Sequence, residues 1–300
     1  NLSFTNGGGL YFKASPQLTR VTVINNSAEL NGGGMYISGG YQDVNPVLEK
    51  LTISGNLSIN DSEGIYVTAD EGGGGMHPNV FISNSNIVYN GTGLFNNLNI
   101  VIPSANNNWW GHSSGPYHPS QNPTGQGDST NVFVNVTPWL TTPDTAAPPI
   151  PVQNTTVTGS GINFISLNWD TSPIGDLAGY KLYYDSDSSG YPYANSVDIG
   201  TDTSYTLSSL TLGTTFYLAV TTYDTDGNES WYSNEVTGTS RVMQAQNLDI
   251  GGDEDLQHMV SHTPSITFRY YDSANETQTT YQIQVSTDSL FSSANMWDNG

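Results

Sequence analysis

The first third of the chain repeats itself, and that repeat limits the possible folds more than any other feature. Leu18-Thr-Arg-Val-Thr-Val-Ile-Asn-Asn-Ser, followed by Gly32-Gly-Gly-Met-Tyr-Ile37, returns as Leu48-Glu-Lys-Leu-Thr-Ile-Ser-Gly-Asn56, followed by Glu63-Gly-Ile-Tyr-Val67. Val80-Phe-Ile-Ser-Asn84 with Thr92-Gly-Leu-Phe95 reads as a looser third copy, and Gly7-Gly-Gly-Leu-Tyr-Phe12 as the second half of an earlier one. A period of roughly 25 to 30 residues, each with two short apolar runs split by Asn and Gly, predicts a solenoid of stacked β coils.

One coil cannot bury its apolar face alone. Val21 and Val23, then Leu51 and Ile53, alternate with polar residues, so the apolar set is expected inside while Arg20, Thr22, Lys50 and Thr52 face water. Stacking coils about 4.8 Å apart sets like residues over like and removes apolar area worth about 25 cal/mol per Å². Asn26, Asn56 and Asn84 recur just after the strand, where an amide tolerates left-handed backbone and can bond its counterpart in the next coil; they are expected to form a structural ladder. Gly32 to Gly34 and Gly72 to Gly75 suit tight corners. With no following helix or lysine, they do not suit a phosphate cradle.

Asn107-Asn-Trp-Trp-Gly111, Ser114-Gly-Pro-Tyr-His-Pro119, Asn122-Pro and Pro138-Trp-Leu140 then close the segment. Together they resemble the terminal coil and closing loop of right-handed parallel β-helix proteins of the pectate-lyase-like class. The resemblance implies a parallel β-helix over residues 1–140, capped by Trp109, Trp110 and Trp139 against edge-to-edge strand addition. Residues 141–151, with Thr-Thr-Pro-Asp and Ala-Ala-Pro-Pro, read as a stiff linker that spaces modules without burying them.

From 152 to 240 short alternating strands take over. Phe164-Ile-Ser-Leu-Asn-Trp169, Tyr180-Lys-Leu-Tyr-Tyr184, Thr203-Ser-Tyr-Thr-Leu207 and Gly213-Thr-Thr-Phe-Tyr-Leu-Ala-Val220 resemble the fibronectin type III family. That resemblance implies a seven-stranded sandwich, with Trp169 and Phe216 in its core, acting as a spacer or binding platform. Phe216 stands where the family usually carries a corner tyrosine, so it is expected to be buried without a polar tie, with Tyr217 on the opposite face. Residues 241–300 resemble a second, partial fibronectin-like sandwich of the kind appended to bacterial extracellular glycan-active proteins. The fold class expected is therefore all-β throughout: solenoid, sandwich, and truncated sandwich.

Charge and composition limit the partners. The chain of 300 residues carries 27 acidic and 6 basic residues, a formal net charge of -21, which repels nucleic-acid backbones and anionic membrane surfaces. With no cysteine, thiolate metal sites and disulfide frameworks are excluded. No membrane-length apolar run occurs, so no membrane insertion is expected. Low lysine and repeated β modules point to export, and to a bacterial extracellular or cell-surface location, with Asn-x-Ser/Thr triplets at Asn56, Asn90, Asn135 and Asn228 attributed to composition.

Candidate chemistry is sparse. Asp43, Asp61, Glu63, Asp70 and Glu71 fall in turns at irregular offsets, and Lys13, Arg20 and Lys50 are the only Lys and Arg residues of the repeat, so no acid/base cluster is expected. His77, His112 and His118 lie in Gly/Pro-rich loops without metal-ligand spacing. The acidic turns Asp224–Glu229 and Asp249–Asp255 lack calcium-loop spacing and allow weak Ca²⁺ binding at most. No cofactor is expected. The leading reading is a non-enzymatic adhesion or scaffold stalk whose partners are polysaccharide or cell-surface glycan or protein. The alternative is a piece of an extracellular polysaccharide lyase or hydrolase whose catalytic coils lie upstream. Tyr191 and Tyr193, in Gly-Tyr-Pro-Tyr, are the candidate glycan-contacting rings, because flat aromatic faces stack on sugars.

Overall fold

The computed structural model describes residues 1–60, 62–69, 76–100, 103–241, 243–250, 266–272, 283–285 and 295–297. All regular elements among the described residues are β-strands. The chain divides into two compact units: Asn1–Thr156 with Leu167–Tyr205 and Tyr217–Val236, and Val157–Ser166 with Thr206–Phe216 and Thr237–Gly300.

In the first unit the repeat becomes columns of parallel strands. Gln17–Thr19, Val47–Glu49 and Phe81–Ser83 form one column, with Leu18 beside Leu48 and Leu48 beside Ile82. Thr22–Ile24, Thr52–Ser54 and Asn86–Val88 form a second, with Val23, Ile53 and Ile87 in line. Leu10–Phe12, Met35–Ser38, Ile65–Thr68 and Thr92–Asn96 form the third, and Gly127–Thr130 extends it. Because strand side chains alternate, one set from every column points inward. Val23, Met35, Ile37, Leu48, Leu51, Ile53, Ile65, Val67, Ile82, Ile87 and Leu94 accordingly share a single buried core. On the other face of the third column Tyr11, Tyr36, Tyr66 and Phe95 stack ring on ring, with centroids 5.2, 5.4 and 5.8 Å apart.

The corners explain two residues that sequence reasoning placed only as outward cations. Arg20, Lys50 and Asn84 occupy equivalent left-handed corners, with φ of 57°, 55° and 51°. Asn25, Gly55 and Tyr89 do the same one strand later, at 53°, 62° and 60°. The glycine triplets serve a second purpose beyond tight turning: a Cβ on Gly34 would lie 2.6 Å from the Gly64 carbonyl oxygen and 3.1 Å from Asn56 Cγ. The missing side chain lets the neighbouring coil and the Asn56 amide close in.

Two expectations need correction. Thr52 does not face water: it is fully buried, as are Ser54, Asn86 and Val88 on the same outer face. The cover is the segment expected to be a free linker. Thr52 Oγ1 donates to the Pro148 carbonyl. Asn86 Nδ2 donates to the Asp144 carbonyl at 3.1 Å, and Asp144 N–H donates to Asn86 Oδ1 at 2.9 Å. Ala147, Ile150 and Val152 are buried, and Ile150 joins Val88, Trp109 and Ile174 in a second apolar cluster. The 141–151 segment turns at residues 145–147, where Asp144 Oδ1 accepts from Ala146 and Ala147 N–H, and from Asp144 to Ile150 it is docked against the strands.

The first unit also holds an antiparallel sheet in which Leu177–Asp185 pairs with Asn195–Gly200 and with Thr215–Asp224. Trp169 is buried and meets Tyr180 edge-on at 5.7 Å. Thr156–Gly161, Phe164–Asn168 and Ser204–Leu207 form a three-stranded sheet, and Ile165, Leu207, Leu210 and Phe216 are buried. Met243–Ile250 pairs antiparallel with Ile266–Asp272, and Ile283–Val285 with Asn295–Trp297. The remainder of the expected partial sandwich lies outside the described residues.

Candidate functional site

The asparagine column is the most ordered polar feature of the coils. Asn1 Nδ2 donates to Asn26 Oδ1 at 3.1 Å, Asn26 Nδ2 to Asn56 Oδ1 at 3.0 Å, and Asn56 Nδ2 to Asn90 Oδ1 at 2.9 Å. Asn56 Oδ1 and Asn90 Oδ1 also accept a backbone N–H each, from Asn26 at 3.1 Å and from Asn56 at 3.2 Å. Asn84 is not part of this column; Asn90 takes the place expected for it, while Asn84 forms a corner whose N–H donates to the Asn107 carbonyl at 2.9 Å. The column ends on a residue the sequence reading did not single out. Asp128 Oδ2 accepts from Asn90 Nδ2 at 2.8 Å and from Asn90 N–H at 2.9 Å. Burial pushes the Asp128 carboxyl up to about 6, against the lowering effect of these bonds. With its donors and acceptors used between coils, the column offers nothing to a ligand.

The three cap tryptophans occupy different places. Trp110 is fully buried in the coil core. Trp139 packs on that core from its margin, and Gly115 makes room for it: a Cβ there would sit 2.5 Å from Trp139 Cε2. Trp109 points the other way, into the cluster with Ile150 and Ile174, so it anchors the 141–151 segment and does not plug the coil.

The candidate acids and histidines do not converge. Asp43 is exposed, Glu63 Oε2 accepts the Thr92 N–H at 2.9 Å, and Asp61, Asp70 and Glu71 lie outside the described residues, as does most of Asp249–Asp255. His77 is exposed, and His112 bonds Ser114 Oγ at 2.8 Å. His118 is buried; its Nδ1 accepts from Gln121 N–H at 2.9 Å, which leaves Nε2 to donate to the Val134 carbonyl at 3.0 Å. Asp224 closes its own hairpin, accepting from Asn228 N–H at 2.8 Å and Asp226 N–H at 3.0 Å. Among the described residues no three His, Asp or Glu side chains are arranged to hold a metal ion.

Where residues do converge is on the antiparallel sheet of the first unit. Tyr191 and Tyr193 meet Tyr183, Trp231 and Tyr232 in one aromatic cluster. Tyr191 lies edge-on to Trp231 at 4.8 Å, Trp231 to Tyr232 at 5.4 Å, Tyr193 to Tyr232 at 5.2 Å, and Tyr183 to Tyr232 at 5.1 Å. Two carboxylates hold the rings from behind. Glu235 Oε2 accepts from Tyr193 Oη at 2.7 Å and Gly190 N–H at 2.6 Å. Glu229 accepts from Tyr183 Oη at 2.7 Å, Thr221 Oγ1 at 2.6 Å and Lys181 Nζ at 2.7 Å. Burial opposes ionisation of Glu229, but the bonds from Lys181, Thr221 and Tyr183 outweigh it and hold the carboxyl below its usual range. Burial, and then the carboxylate each bonds, raises the Tyr183 and Tyr193 phenols.

Tyr232 also walls a groove of about 330 Å³. Its lining includes Asn25, Gly55 and Leu57 of the parallel strands and their corners, together with Pro151, Gln153 and Asn234. All of these residues belong to the first unit. Trp231 and the Tyr232 wall are not legible in the sequence, because positions 191 and 231 meet only once Leu177–Asp185 pairs with Thr215–Asp224. The buried hydroxyl that ties a loop in this sandwich was missed too: Tyr180 Oη accepts the Ser172 N–H at 2.8 Å. Phe216 is buried, and Tyr217 is half-buried.

Residues 150–239 match the model of the fibronectin type III domain, and this segment is a fibronectin type III sandwich within an all-β chain. Among solved structures, the fibronectin type III domain of human fibronectin type III domain containing protein 3 is 28% identical, over 31% of this chain and 87% of that one, with a TM-score of 0.27. An Fn3-like protein from Clostridium thermocellum is 23% identical, over 30% of this chain and 92% of that one, with a TM-score of 0.26. No curated protein matches the chain.

Proposed function

We propose that this chain is a non-enzymatic extracellular scaffold, in which coils of a right-handed parallel β-helix are fixed to a fibronectin type III domain. A fibronectin type III module fits a modular, adhesion-like scaffold of this kind. No helix among the described residues is long and apolar enough to cross a membrane.

The observation that carries the reading is the docked segment 144–152. A free linker would let modules swivel, whereas Ile150 in its apolar cluster and Asp144 bonded to Asn86 transmit load from coil to sandwich. The polar side chains that could have served catalysis support the same reading, because Asp128, His118 and Glu229 are spent on internal bonds. Limited proteolysis of the intact protein tests it: residues 141–151 are expected to resist cleavage as long as the sandwich does. Rapid cutting there, or turnover of acidic polysaccharide by this chain, would overturn the proposal.

A further inference from the structure

We infer that the groove walled by Tyr232, together with the exposed rings of Trp231 and Tyr191 that contact Tyr232, binds a neutral glycan chain. The inference deepens the scaffold reading by naming what the scaffold holds.

Four observations lead there. First, Trp231 is 39% exposed and Tyr191 62%, although both belong to a five-ring cluster. Aromatic area of this size left in water beside a groove suits a ligand with flat apolar faces, and a pyranose offers C–H faces of that kind. Second, the groove wall is braced. Glu235 and Glu229 accept from the Tyr193 and Tyr183 hydroxyls, and both of these rings pack on Tyr232, so Tyr232 has little side-chain entropy left to lose on binding. Third, the groove combines apolar lining at Ile24, Leu57, Pro151 and Val152 with the amides of Asn25 and Gln153 and no cation, which suits a ligand carrying both C–H faces and hydroxyls. Its volume of about 330 Å³ is that of a small-ligand or chain-segment site. Fourth, charge selects among glycans. The chain carries a net charge of -21, and Lys181, the cation beside the cluster, is paired with Glu229 at 2.7 Å. Uronic-acid and sulfated chains are therefore repelled, and neutral hexose chains are not.

The test uses the intact chain, titrated by calorimetry with neutral hexaoses of glucose, mannose and xylose, and with polygalacturonate as the anionic counterpart. At least one neutral hexaose is expected to bind, with Trp231→Ala and Tyr191→Ala each weakening it at least tenfold and leaving the melting temperature within about 2 °C. Gln153→Ala is expected to weaken it about threefold by removing one amide partner. Should Trp231→Ala unfold the domain, the largely exposed Tyr191→Ala change carries the test. Absence of binding by every neutral hexaose, equal binding of polygalacturonate, or binding indifferent to both aromatic substitutions would each overturn the inference. The protease resistance of residues 141–151 is measured independently, so loss of glycan binding leaves the scaffold reading standing, and the reverse.

Discussion

The Asn56 column and the Trp231 cluster are both built from hydrogen-bonding side chains, yet they do opposite work. In the column the amides of Asn26, Asn56 and Asn90 are buried and bond their counterparts one repeat away, so these groups specify register and are closed to solvent. At the sandwich sheet Glu235 and Glu229 instead fix the half-buried Tyr193 and Tyr183, beside Tyr191 and Trp231, which remain in water. Burial of the hydrogen-bonding atoms, more than residue type, separates the two regions.

The sharpest way to break this contrast is to remove one amide from the column. Asn56→Leu strips partners from Asn26 N–H, Asn26 Nδ2, Asn90 Oδ1 and the Val23 carbonyl. Because each orphaned buried group costs about 1–3 kcal/mol, urea denaturation is expected to show a loss of about 4 kcal/mol or more, or failure to fold. Asn84→Gly, at a corner and outside the column, is expected to change stability by less than about 1 kcal/mol.

Next in size is the docked segment. Ile150→Ala is expected to cost about 2–4 kcal/mol and to open residues 141–151 to protease, whereas a free linker would register neither effect.

Asp128→Asn sharpens the comparison by pH. The Asp128 carboxyl titrates near 6 in the fold, above its ordinary 3.8, so the fold favours the protonated form. Its contribution is full below pH 3.8 and is lost as pH rises through about 6. Asparagine keeps an acceptor for Asn90 and never ionises. The stability of the variant relative to the parent is therefore expected to rise between pH 4 and 7 by about 1–3 kcal/mol and then level off, measured by thermal melts across pH. A flat difference would mean that Asp128 does not terminate the column.

The smallest effect is expected at the sheet. Lys181→Met breaks the pair with Glu229, yet the pair is part-exposed and Glu229 keeps Tyr183 and Thr221, so less than about 1 kcal/mol is expected, diminishing with added salt.

Much of the strand pairing was legible because like residues sit beside like: Leu18 beside Leu48 and Val23 beside Ile53 follow directly from the repeat. The third copy slipped for a physical reason. Both strands of a coil end on a left-handed corner, and asparagine suits either one, so Phe81-Ile-Ser-Asn84 was aligned with the second strand when it pairs with Val47–Glu49, the first. The step from Asn56 to Asn90 is 34 residues against 30 for the step before, which hid the true partner. The docked segment was not legible because Thr52 and Asn86 look like solvent-facing residues; only their bonds to Pro148 and Asp144 show what covers them. In the site, Tyr191 and Tyr193 were readable as ring-bearing loop residues. Trp231 and Tyr232 come from a different hairpin, and the contact between the two pairs exists only after folding.

The stacking of coils is open to one direct measurement, helped by the absence of cysteine from the chain. Thr19 and Glu49 are in-register neighbours on adjacent parallel strands, both exposed, at a spacing of about 4.8 Å that a disulfide can bridge. Mild oxidation of the Thr19→Cys/Glu49→Cys double variant is expected to close an intramolecular disulfide nearly completely, read as a two-hydrogen mass loss, with Thr19→Cys/Tyr41→Cys staying reduced. A reduced first pair, or equal oxidation of both, would contradict the stacked register.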